Sequence, residues 1–363
     1  MNVVFRVDAS NEIGSGHVMR CLTLAEKLRE HGVTVTFICR EHVGHLCDLI
    51  EEKGFKVLKL PAPLRNTQIP LLTPHSHWLG APLEEDAIQC KQLLKRCSVD
   101  LLIIDHYAIH YEWEHILRDI VRRIMVIDDL ADRKHDCDLL CDPTVLDNPN
   151  KYNLLVPAHC NTFLGPNYVL LRPEFYEQGL HSRLRTGPVK RIFIFFGGVD
   201  PTNETGKALG AFLELGREEI QVDVVVGRSN THKIKLKELC NQYPNLNFHV
   251  QINNMARIMH LADLSIGAGG SATWERCYLG LPTIVWSIAE NQKEICKELG
   301  RKNVIKYLGD CDLVKQENVI KKLNEMIENE QERTNMSSAG FLLMKGNLDH
   351  HKQMIKNILN LGE

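Results

Sequence analysis

Twice along this chain a short apolar run breaks at clustered glycines and resumes as apolar residues at helical spacing. The first run is Val3-Val4-Phe5 with Val7, broken at Gly14-Ser15-Gly16, after which Val18, Leu22, Ala25 and Leu28 recur on one helix face. The second is Leu264-Ser-Ile-Gly267, which leads into Ala268-Gly-Gly-Ser-Ala-Thr-Trp-Glu-Arg276. Strand, glycine turn and helix in that order make a βα unit, and such units stack into a parallel sheet. Further apolar runs at 33–38, 55–60, 99–104, 124–127, 191–196, 220–226, 247–250 and 281–286 alternate with helical patterns near 41–53, 84–97, 111–123 and 204–214.

That alternation predicts an α/β chain of two Rossmann-like, doubly wound domains facing an inter-domain cleft. A chain of 363 residues exceeds one typical domain and suits two of roughly 150 to 200 residues. Five prolines make 143–175 read as irregular, and 179–189 is basic and polar. The expected domains are therefore 1–175 and 188–340, with a C-terminal helix at about 341–363 that packs back on the first. No internal repeat is strong enough to indicate duplication.

A net charge of −3 leaves no electrostatic footprint for nucleic acid. Arg6 and Asp8 interrupt the opening apolar run, so no signal peptide is read, and no stretch approaches the about 20 apolar residues of a membrane span. The 12 cysteines include no CxxC pair and read as reduced thiols, so a cytoplasmic location without membrane partners is expected. The oligomeric state is left open.

His17 falls where the first helix begins. Unpaired N–H groups there suit an anion, and the local field disfavours imidazolium, which leaves a histidine neutral and able to accept a proton. His17 is therefore the candidate general base, although an isolated histidine is as readily structural. The turn lacks the third glycine of the dinucleotide fingerprint, and 33–38 runs into Cys39-Arg40 with no acidic residue, so no nicotinamide cofactor is expected. Asp105-His106-Tyr107 closes the 99–104 strand, where polar side chains point into the ligand crevice. The second turn offers Gly269, Gly270, Ser271 and Thr273 as a diphosphate cradle and Glu275 as an acceptor for ribose hydroxyls. Its alternative is a tight turn with a capping serine. Asn291 and Gln292 follow a strand end and read equally as sugar contacts or as a polar turn.

Two metal-like patterns carry little weight. His75 and His77 lie in the loop 61–83, whose length suggests function, but no ligand set accompanies them, and solvated histidines are expected. His135-Asp-Cys-Asp-Leu-Leu-Cys-Asp142 fits a short strand with flanking acids at a sheet edge.

Two Rossmann-like halves with a glycine-rich nucleotide turn in the second resemble the GT-B fold of nucleotide-sugar glycosyltransferases, including the transferase that forms lipid II. Several stretches resemble one family more closely: Arg6-Val-Asp-Ala-Ser, Ile13-Gly-Ser-Gly-His-Val-Met-Arg-Cys-Leu-Thr-Leu-Ala25, Asp105-His-Tyr107, Ile127-Asp-Asp-Leu-Ala-Asp-Arg133, Gly197-Gly-Val-Asp200, Gly269-Gly-Ser-Ala-Thr-Trp-Glu275 and Ile288-Ala-Glu-Asn-Gln292. This family is the UDP-2,4-diacetamido-2,4,6-trideoxy-β-L-altropyranose hydrolases of pseudaminic acid biosynthesis. The tail departs from it, since Gly340 and Lys345-Gly-Asn-Leu-Asp-His-His351 replace the usual ending. The resemblance implies metal-independent, inverting hydrolysis of a UDP-sugar, with no cofactor. It makes His17 the base that activates water, sets Gly14, Gly16, Arg20, Tyr107, Asn291 and Gln292 around the substrate, and gives the 269–275 turn to UDP. UDP is a good leaving group, so a base for water and donors for the diphosphate suffice. The competing readings are a glycosyltransferase acting on a UDP-N-acetyl sugar, a nucleotide-sugar binding protein and, more weakly, an epimerase.

Overall fold

The computed structural model describes residues 1–63, 69–71, 73–144 and 146–359. The chain divides into two compact units, Met1–Leu170 with Gly346–Glu363, and Leu171–Lys345. Residues 64–68 and 72 of the 61–83 loop, and 360–363 of the expected C-terminal helix, lie outside the described residues.

The first unit runs β1 (Asn2–Val7), α1 (Gly16–Glu30), β2 (Thr34–Arg40), α2 (Cys47–Glu52), β3 (Lys56–Leu60), α3 (Leu83–Leu94), β4 (Leu101–Asp105), α4 (Tyr111–Leu117), β5 (Ile124–Ile127), β6 (Leu139–Asp142) and β7 (Asn161–Leu164). Its sheet has the order β3-β2-β1-β4-β5-β6-β7, with every neighbour parallel. The central strands are covered on both faces, which is why they read as unbroken apolar runs. Alternate residues divide between two cores. Val3, Phe5 and Val7 meet α1 and Met354, Ile355 and Ile358 of the C-terminal helix Asn347–Leu359. Val4 faces the other way, toward Ala87, Leu94, Trp113 and Leu117 of α3 and α4. Asn347 anchors the C-terminal helix by donating to the carbonyls of Pro166, Asn167 and Val169. Chain order reverses between β1 and β4, so the loops after these two strands border the crevice where ligands bind in such sheets.

The second unit contains α5 (Pro173–Gly179), β8 (Arg191–Phe195), α6 (Glu204–Glu214), β9 (Gln221–Val226), α7 (Lys233–Cys240), β10 (Leu246–Val250), α8 (Met255–Leu261), β11 (Leu264–Ala268), α9 (Ala272–Tyr278), β12 (Thr283–Ser287), α10 (Glu290–Arg301), β13 (Lys306–Asp310), α11 (Gln316–Glu328) and α12 (Glu330–Leu343). Its sheet, β10-β9-β8-β11-β12-β13, is also wholly parallel, with the reversal between β8 and β11. Both units are thus the doubly wound sheets that the βα alternation predicts.

The stretch 143–175, expected to be irregular, holds β7 and the start of α5. β7 opens on the exposed polar pair Asn161 and Thr162, so it shows no apolar run, and Pro173 occupies a first-turn helix position that tolerates its missing N–H. β7 also makes β6 an interior strand, so the acids flanking β6 are not edge residues. Asp142 is buried between Lys151 Nζ and the Tyr152 hydroxyl, both at 2.8 Å, and burial pushes its carboxyl up.

Candidate functional site

The end of β1 and the end of β4 bring together residues 88 positions apart. His17 is the second residue of α1, and its Nδ1–H donates to Asp105 Oδ1 at 2.5 Å, at the last residue of β4. The network assigns this tautomer: a carboxylate partner fixes the proton on Nδ1 and leaves Nε2 as the acceptor. Arg20, one turn further along α1, grips the same carboxylate through Nε at 2.5 Å and Nη2 at 2.6 Å, and reaches Asp129 at 3.0 Å. Burial pushes Asp105 up, but Arg20 and then His17 outweigh it and hold this carboxyl well below the usual range. Asp105, held ionised at neutral pH, therefore orients the imidazole as the second partner does in a histidine–carboxylate dyad.

Aromatic rings wall one side of His17. Tyr107 is buried and meets the imidazole edge-on, with centroids 4.6 Å apart. Trp78 lies nearly parallel to Tyr107 at 5.5 Å and to His75 at 4.6 Å. Glu12 Oε1 accepts from His77 Nε2 at 2.6 Å and from Trp78 Nε1 at 3.1 Å, which ties this wall to the segment just before Gly14. His75 and His77 thus take part in this wall and are not merely solvated. Among the described residues no three His, Cys, Asp or Glu side chains group to hold a metal ion. Added Cβ atoms at Gly14 and Gly16 would meet nothing within 4 Å, so both face open space, and Gly14 has a positive φ of 79°.

Beneath the dyad lies a buried ionic lattice. Asp8 pairs with Arg6 at 2.7 Å, and Asp86 holds both Arg6 at 2.8 Å and Arg40 at 2.7 Å while accepting from Trp113 Nε1 at 2.9 Å. His106 Nδ1 accepts the Ala108 N–H at 3.1 Å, so its Nε2 carries the proton toward Asp8 at 3.3 Å. Burial lowers the His106 pKa despite Asp8, which keeps this ring neutral. His106 therefore braces the loop that presents Tyr107.

In the second unit the loops after β8 and β11 are neighbours, since Gly267 pairs with Phe195. Gly270 and the exposed Ser271 border open space: the nearest atom to an added Cβ on Gly270 is Gln292 Nε2, at 3.6 Å. Gly269 is tightly packed, because its Cβ would come within 2.0 Å of Cys296 Sγ. Thr273 is buried, with its hydroxyl 3.3 Å from the Ala268 carbonyl and 3.0 Å from Arg276 Nη2, so it braces the turn from inside. Glu275 accepts from Arg172 at 2.9 Å. Gln292 Oε1 accepts from the Ile288 N–H at 3.1 Å, which sets its side chain against the glycine turn, while Asn291 stands exposed at the start of α10.

The first unit thus gathers Gly14, Gly16, His17, Arg20 and Tyr107, and the second gathers Gly269, Gly270, Ser271, Thr273, Glu275 and Gln292. Sequence reasoning passed over Asp105 as the partner of His17, although a carboxylate ending an apolar strand beside β1 signals it. It also passed over Trp78, Glu12 and Asp129, whose roles depend on loop packing. Among the described residues no helix is long and apolar enough to cross a membrane.

Residues 191–356 match the glycosyltransferase family 28 C-terminal domain. The chain is 27% identical over 83% of its length to the UDP-2,4-diacetamido-2,4,6-trideoxy-beta-L-altropyranose hydrolase of Campylobacter jejuni, covering 97% of that protein. It is equally 27% identical, over 81% of its length, to an uncharacterized protein of Methanocaldococcus jannaschii, of which it spans 57%. The spore coat polysaccharide biosynthesis protein SpsG of Bacillus subtilis is 23% identical over 95% of both chains. Among solved structures, MurG of Acinetobacter baumannii superposes with a TM-score of 0.64 at 14% identity, over 99% of each chain. The fold is GT-B.

Proposed function

We propose that this protein is a UDP-sugar hydrolase that cleaves UDP-2,4-diacetamido-2,4,6-trideoxy-β-L-altropyranose with inversion and without a metal. The observation that carries the reading is the His17–Asp105 dyad, with Nδ1–H committed to the carboxylate and Nε2 left as the proton acceptor. The similarity to a hydrolase of that name along nearly its whole length supports the choice of substrate.

In this mechanism His17 Nε2 takes a proton from water as the water oxygen bonds to the anomeric carbon. The bond from that carbon to the β-phosphate oxygen breaks, and UDP leaves with the electron pair. Asp105 stabilises the imidazolium that forms, and Arg20 keeps Asp105 ionised. Gly14 and Gly16 leave room for the sugar beside Tyr107, and Asn291 and Gln292 are the second unit's candidates for reading hydroxyl or acetamido groups. Gly270, Ser271 and the backbone of the 269–271 turn hold the diphosphate, Thr273 keeps that turn in shape, and Glu275 accepts from the ribose. The products are UDP and 2,4-diacetamido-2,4,6-trideoxy-L-altrose.

The family 28 domain favours one alternative, a glycosyltransferase using a UDP-N-acetyl sugar. One assay separates the two: UDP release from the diacetamido substrate in buffer with EDTA and no acceptor. Sustained release at the rate seen without EDTA supports hydrolysis. Release that needs a metal, or that starts only when an acceptor is added, overturns it.

A further inference from the structure

Among the described residues five arginines are no more than 2% exposed, and four of them meet a carboxylate or three backbone carbonyls. Arg6 and Arg40 share Asp86, and Arg6 also pairs with Asp8. Arg185 donates to the carbonyls of Ala262, Arg183 and His260. Arg333 donates to Met326, Ile327 and Gly187. Arg276 differs. Its side chain, 1% exposed, uses only Nη2, which donates to the Ala268 carbonyl at 2.5 Å and to Thr273 Oγ1 at 3.0 Å. Nε and Nη1 have no hydrogen-bond partner among the described residues. The nearby Glu275 is already engaged by Arg172. Burial pulls the Arg276 pKa down to about 10, so the guanidinium remains charged at neutral pH.

A buried guanidinium with two of its three nitrogens unsatisfied is costly. Its position says what it faces. Ala268 and Thr273 are the two ends of the glycine turn, so the guanidinium bridges the base of the turn. Gly267 makes room for it, since a Cβ there would lie 2.3 Å from Nη1. We propose that Arg276 is the built-in counter-charge for an anionic ligand of the 269–271 turn, a nucleoside diphosphate, and acts on it through the turn as a positioning residue. This rests on the assignment of that turn to UDP. A fixed positive charge there stabilises both the bound diphosphate and the negative charge that grows on it as the glycosidic bond breaks.

Calorimetric titration of UDP and of uridine into wild type, Arg276→Met and Arg276→Lys tests the inference. Arg276→Met is expected to weaken UDP about tenfold or more, leave uridine within about twofold, and melt no lower than wild type, because an uncompensated charge has been removed. Arg276→Lys is expected to keep most of the preference for UDP. Unchanged UDP affinity in Arg276→Met, or uridine falling in step with UDP, overturns the role. Should Arg276→Met not fold, Arg276→Gln, neutral but still able to donate to Ala268, is read by the same criteria. A wild-type protein that binds UDP no better than uridine instead removes the assignment of the turn, and the inference with it.

Discussion

The two glycine turns look alike in sequence and differ in how the charge behind them is compensated. At 14–17 the glycines border open space, and the packed side carries carboxylates that are each paired with arginine, Asp105 with Arg20 beside His17, Asp8 with Arg6, and Asp86 with Arg6 and Arg40. At 267–271 two of the three glycines are spoken for by packing, Gly267 against Arg276 and Gly269 against Cys296, and the buried charge is a lone guanidinium. A carboxylate behind a turn equips it to hold and orient a proton-accepting ring. A cation behind a turn equips it to hold an anion. The same local motif can thus serve either half of a reaction, and the charge placed behind it marks which.

The largest expected effect tests the first turn. His17→Asn should lower turnover about 10³-fold while leaving UDP affinity within about twofold, measured as UDP release and by titration. A rate near wild type removes His17 from the mechanism. Asp105→Asn should cost about 10²-fold in turnover, because the imidazole loses the partner that sets its tautomer. It should also flatten the acid side of the stability curve. Since the folded Asp105 pKa lies below the unfolded value of about 3.9, its contribution is complete above that pH and is lost as pH falls through the folded value. Chemical unfolding between about pH 2 and 5 reads this directly; identical slopes in wild type and Asp105→Asn contradict it.

The glycines sharpen the contrast with smaller effects. Gly269→Ala should destabilise by about 1–3 kcal/mol through the clash with Cys296, and Cys296→Ala in the same chain should recover most of that loss. Gly16→Ala should leave stability unchanged or raise it by about 0.5 kcal/mol, since alanine is the better helix former. It should nevertheless slow turnover, because the new methyl enters space assigned to the sugar. Denaturant titration beside activity separates these outcomes. If Gly16→Ala proves the more destabilising of the two, the contrast between an open and a packed turn fails.

Much of this was legible in advance because the responsible signals are local. Apolar strands buried on both faces announce a parallel sheet, and a histidine at a helix start is visible wherever Gly-Ser-Gly-His occurs. β7 and α5 escaped because a polar outer strand and a helix opened by proline carry weak periodicity. The histidines of the 61–83 loop escaped because nothing in sequence pairs Glu12 with His77 or sets Trp78 on Tyr107.

By itself, then, the sequence determined the βα alternation, two doubly wound sheets, and the place of the two glycine turns and of His17 at strand-to-helix junctions. These follow from hydrophobic period and glycine conformation, which act within a few residues. Only the tertiary structure decided that Asp105 orients His17, that Gly269 is packed while Gly16 is open, and that Arg276 is left without a counter-ion. Each of those depends on which strands lie side by side at the sheet's reversal point and on which atoms then fall within a few ångströms. Burial and charge compensation are properties of that arrangement, and no residue carries them alone.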